Sequence, residues 1–103
     1  MKVRTWVTEF GGDCGIPECV LSAVAAGKLR DASWHNDAAP CFEGAGFFLW
    51  ADHIDPQRRE CPGARFVVVA GEPSDHGQQM CDEKIFDTDS ETELAAWLAA
   101  HGA

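Results

Sequence analysis

Two apolar runs constrain what this chain can fold into more than any other feature. Phe47-Phe48-Leu49-Trp50-Ala51-Asp52-His53 and Ala64-Arg65-Phe66-Val67-Val68-Val69-Ala70 both have the length of a strand. Successive strand residues point to opposite sides of a sheet, so a run that is apolar at consecutive positions belongs in the middle of a covered sheet. A chain of 103 residues builds one domain of ordinary size around such a sheet. The 46% apolar and 24% charged residues are those of a globular protein rather than a disordered one.

Around these runs the other elements are read from local signals. Lys2 to Phe10, rich in Val, Thr and Trp, predicts a first strand, followed by a turn-rich loop Phe10-Gly11-Gly12-Asp13-Cys14-Gly15. Pro17 and Glu18 suit the first turn of a helix carrying Val20, Leu21, Val24 and Ala25 on one stripe, with Gly27 as its stop and Lys28 and Arg30 at its negative end. Asp31 to Glu43 is ambiguous, with Ala32 to His35 as a short strand and Asn36-Asp37 before Pro40 as a turn. Gly71 to Cys81, holding Pro73-Ser74-Asp75 and Gly77, predicts a long loop, and Lys84 to Phe86 a short last strand. Ser90 and Glu93 form a capping-box pattern ahead of a closing helix with Leu94, Trp97, Leu98 and His101 on one face.

The expected fold is therefore α+β: an antiparallel sheet of four or five strands with two helices packed on one face, in the order β-α-(β)-β-β-β-α. One domain, 1–103, accommodates it without linker, repeat or second unit. The expected core is Val7, Leu21, Val24, Phe48, Trp50, Phe66, Val68, Phe86, Leu94, Trp97 and Leu98.

Charge narrows the function classes. Of the seventeen acids, eight fall from Phe66 onward against one base, Lys84, while the first 65 residues are close to balance. Asp82, Glu83, Asp87, Asp89, Glu91 and Glu93 crowd into a dozen positions. Such a block repels nucleic acid and anionic membrane and suits a basic protein surface, so direct nucleic-acid binding and membrane association are both excluded as expectations. Part of the block has a structural explanation, because Glu91 and Glu93 sit in a helix's first turn and favour its dipole. Asp82, Glu83 and Asp87 flank a short strand without that duty, and a row of carboxylates there could imitate a track of phosphates. Simple solubility is the competing explanation.

No apolar run reaches the ~20 residues of a membrane span, and the N-terminus lacks the apolar stretch of a signal peptide, so a cytoplasmic address is expected. An odd number of cysteines, five, argues for reduced thiols rather than a disulfide framework. The spacing C-x4-C-x15-H-x5-C through Cys14, Cys19, His35 and Cys41 is a weak zinc candidate, because only its first pair approaches knuckle spacing. Cys14, ahead of a helix N-terminus, is a candidate nucleophile without a surrounding protease signature. His35, Asp37, Asp52 and His53 could converge as a metal or acid–base site, although Asn36-Asp37 and Asp55-Pro56 also read as plain turns, the preferred reading. The glycine-rich loop before the first helix is neither a P-loop nor a dinucleotide fingerprint. No cofactor is called for.

A short, acidic α+β chain without a recognisable active site resembles the small phage-encoded inhibitors, the anti-CRISPR and anti-restriction proteins. The resemblance covers the character of the chain rather than a motif. It implies stoichiometric blocking of a nucleic-acid-handling complex such as a CRISPR effector. The expected function is thus a non-enzymatic inhibitor or modulator docking Asp82, Glu83, Asp87, Asp89, Glu91 and Glu93 on a basic partner. The alternatives are a small metal- or thiol-dependent enzyme using His35, Asp37, Asp52 and His53, and an accessory domain recognised through an aromatic surface at Trp34 and Phe42.

Overall fold

A computed structural model describes residues 15–32, 40–55, 57, 63–75 and 77–102. These residues form α1 (Glu18–Ala25), β1 (Arg30–Asp31), β2 (Cys41–Gly44), β3 (Phe47–Ala51), β4 (Phe66–Ser74), β5 (Gly77–Thr88) and α2 (Glu91–Ala100). The five strands lie in chain order in one sheet, every neighbouring pair antiparallel. The α+β class and the antiparallel sheet with two helices are as expected. The anticipated first strand, Lys2 to Phe10, with Val7, lies outside the described residues.

Register explains which face is covered. Phe42 faces Leu49, Leu49 faces Val68, and Val68 faces Phe86 across four successive strands. Residues two positions along share that side, so Phe47, Ala51 and Phe66 join the same layer. Val20 and Ala23 from α1 and Leu94 and Leu98 from α2 close over it in one buried cluster. Both helices therefore pack on one face. Leu21, Val24, Phe86 and Trp97 border this core half-buried rather than filling it. Phe48, Trp50, Val67 and Val69 point to the other side of the sheet, where Phe48 is buried and Trp50 half-buried.

Three sequence expectations are corrected here. The ambiguous stretch contains β2, and Phe42, expected on an aromatic docking surface, has no exposed area; Trp34 lies outside the described residues. The anticipated loop Gly71 to Cys81 is instead the outer half of a long β4–β5 hairpin. Pro73 is tolerated there for a geometric reason. Gly71 N donates to Gly46 O at 2.9 Å, toward β3, and Pro73 two residues on has its nitrogen on the same side, past the end of β3. Finally, the short strand Lys84 to Phe86 belongs to a β5 of 12 residues, against 9 in β4.

Both helices end as their residues dictate. Gly27, with φ 77°, places Lys28 N on Ala23 O at 2.9 Å and its own N–H on Val24 O at 3.1 Å, a Schellman stop for α1. Pro17 stands one place earlier than expected, as N-cap rather than in the first turn, and offers no side-chain cap. At α2 the Ser90 hydroxyl accepts Glu93 N–H at 3.2 Å, but the Ser90 N–H is satisfied by Thr88 Oγ1 at 3.0 Å, so the cap is shared with the preceding strand rather than with the Glu93 side chain.

Arg65 ties these parts together. Its side chain is only 3% exposed. Nε donates to Asp52 O at 3.2 Å, one terminal nitrogen to Glu91 Oε2 at 2.9 Å and the other to Gly15 O. The guanidinium carbon lies 4.5 Å from the centroid of the Phe66 ring. Replacing Arg65 by Met removes the donors and leaves two carbonyls short of a partner, at about 1–3 kcal/mol each. Urea denaturation should show Arg65→Met losing at least ~2 kcal/mol. Glu91→Gln, at a half-exposed end, should lose less than about 1 kcal/mol. Equal losses would mean that the ion pair, rather than the carbonyl bonds, holds this junction.

A second junction sits at the other end of the hairpin. Gln78 Nε2 donates to Gly44 O and Phe47 O, both at 3.2 Å, and Gly46 N–H donates to Gln78 Oε1 at 3.2 Å. The amide thus satisfies the β2–β3 turn, and it reaches there across Gly71, where a Cβ would lie 2.4 Å from Nε2. Gly71→Ala should therefore cost about what Gln78→Ala costs, ~1–3 kcal/mol each, and the double variant little more than either. Additive losses in the double-mutant cycle would show that Gly71 serves something other than the passage of Gln78.

Candidate functional site

The acidic run occupies the second half of β5 and the first turn of α2, at the edge of the sheet formed by the described residues. Two irregularities give β5 its greater length. Val68 pairs with Phe86 but Val69 with Lys84, so Ile85 is an extra residue and is 44% exposed. Gly71 then pairs with Met80, so Ala70 alone stands opposite Cys81, Asp82 and Glu83. Bulges of this kind increase local twist and unpair the backbone, a common way of blunting a sheet edge. The charges belong to that blunted segment.

The six acids do not have equal freedom. Asp87 Oδ2 lies 2.6 Å from Lys84 Nζ, bridging the Ile85 bulge, a pair open to solvent and worth under about 1 kcal/mol. Asp89 Oδ1 accepts Arg65 N–H at 2.8 Å, and Glu91 meets the Arg65 guanidinium. Glu83 and Glu93 are exposed, and Asp82 lies in β5. The expectation that Asp87 lacks a local role is thus corrected, and Asp89 joins Glu91 as part of the framework. Arg65 is the residue anchoring this run that sequence reasoning missed. The one available signal was a single base inside an otherwise apolar strand run, which calls for an internal partner.

The metal and thiol candidates divide between described residues and others. Cys14, His35 and Asp37 lie outside the described residues, so their convergence with Cys19, Cys41, Asp52 or His53 does too. Among the described residues no group of three or more His, Cys, Asp or Glu side chains is arranged to hold a metal. Asp52 Oδ1 accepts His53 N–H at 2.7 Å, His53 Nδ1 accepts Asp55 N–H at 2.9 Å, and Asp55 Oδ1 accepts Gln57 N–H at 3.0 Å. This is turn chemistry, a chain of side-chain acceptors folding the segment after β3.

Cys41 is buried in β2, while Cys19 on α1 is partly buried. Burial pushes the Cys19 thiol above its ordinary value, and the Glu91 and Glu18 carboxylates add to this against the backbone N–H of Val20. Because the thiolate is the reactive form, this direction lowers the reactivity of Cys19 as a nucleophile at neutral pH. Native protein treated with iodoacetamide at pH 7.5 and mapped by mass spectrometry should label Cys19 more slowly than free glutathione. Labelling faster than glutathione would reverse this assignment.

No family model matches this chain, no curated protein matches it in sequence, and no solved structure matches its fold. What the protein does must be argued from the chemistry of its own surfaces.

Proposed function

We propose that this protein is a non-enzymatic binding protein, a stoichiometric inhibitor or modulator that docks an acidic edge on a basic, nucleic-acid-binding partner. The observation that supports this most directly is the exposure of Glu83, Asp87, Asp89, Glu91 and Glu93 along one continuous run from β5 into α2, with Lys84 as its single base. A groove shaped for nucleic acid is therefore a chemical match for such a row. The resemblance to anti-CRISPR and anti-restriction inhibitors points to the same class of partner, a CRISPR effector among them.

The Arg65 junction adds an argument about rigidity. Asp89 and Glu91 are held by a buried arginine, so one end of the row is ordered before any partner arrives, which lowers the entropy lost on docking. Glu83 and Glu93, together with Asp87 once it exchanges its exposed Lys84 partner, make up the portion that meets basic side chains. A cytoplasmic place of action belongs to the same proposal, in keeping with the odd number of cysteines.

The test separates docking from folding. The variant Glu83→Lys/Asp87→Lys/Glu93→Lys leaves both Arg65 partners in place and should keep the wild-type circular dichroism and melting temperature to within a few degrees. The probe is a panel of purified guide-loaded CRISPR effectors and restriction enzymes, each assayed for target-DNA binding. Wild-type protein should inhibit at least one at near-equimolar ratio, less so as salt rises and screening shortens. The triple variant should weaken inhibition at least about tenfold, or 1.4 kcal/mol. Inhibition unchanged by the reversals at physiological salt would overturn the acidic-edge reading, as would a panel in which no nucleic-acid-binding enzyme is affected.

A further inference from the structure

We draw no further inference here: the strongest candidate, the aromatic column of half-buried Phe86 and Trp97 and exposed His101 between β5 and the end of α2, is a largely apolar face, and nothing in the structure shows what covers it.

Discussion

The architecture depends on one buried guanidinium. A sheet with both helices on the same face must still hold the helix N-termini against the ends of its central strands, where loops carry backbone polar groups that hydrophobic packing cannot satisfy. Arg65, at the entrance to β4, supplies donors to three of these places at once: the segment before α1, the segment after β3 and the first turn of α2. Its own backbone contributes two more bonds, accepting Asp52 N–H at 2.9 Å and donating to Asp89 at 2.8 Å. A planar, permanently charged fork is suited to this work in a way a lysine is not, since three acceptors in three directions need donors of fixed geometry. Removing a charge from water is costly, and the site offsets that cost with carbonyls, one carboxylate and an aromatic ring.

That junction also explains why the elements legible in the sequence were the ones they were. β3, the inner half of β4 and both helix ends are written in short-range signals: consecutive apolar residues, Gly27 and Ser90. They need no knowledge of the rest of the chain. β2 is only Cys41 to Gly44, too short for periodicity to register, although Phe42 is among the most deeply buried side chains. The outer hairpin was illegible for the opposite reason. Pro73, Ser74, Asp75 and Gly77 have turn chemistry, yet β4 beyond Ala70 runs past the end of β3, where a proline loses no ladder bond. Local composition was outvoted by topology. Arg65 stood out only as a lone base in an apolar run, and its partners were invisible because they lie 13, 26 and 50 residues away along the chain, where no spacing rule reaches.

The candidate site was legible in composition but not in its division of labour. Six acids in a dozen positions read as one block. In the fold they separate by what they touch, and the boundary runs through the block rather than around it. Asp89 and Glu91 complete the Arg65 junction, Asp87 answers Lys84 across a bulge, and Glu83 and Glu93 face solvent. Helix capping had accounted for the C-terminal end of the run on local grounds alone. The buried arginine extends that structural share backward to Asp89, a residue with no helical position to explain it.

Edge protection and partner docking are often treated as rival explanations of charge on an outer strand, but here they draw on different properties of the same segment. Protection needs the backbone ladder disrupted, which the extra residues between Met80 and Phe86 achieve whatever side chains they carry. Docking on a basic groove needs no backbone pairing, only carboxylates open to solvent, as those of Glu83 and Glu93 are. Among the described residues no strand pairs with the outer side of β5, and its bulges make edge-to-edge pairing less favourable while leaving the strand able to carry charge. The bulges remove the competing use of the edge, and the Arg65 junction keeps one end of the charged row in place. On the proposed reading, recognition at this edge is electrostatic rather than by β-pairing.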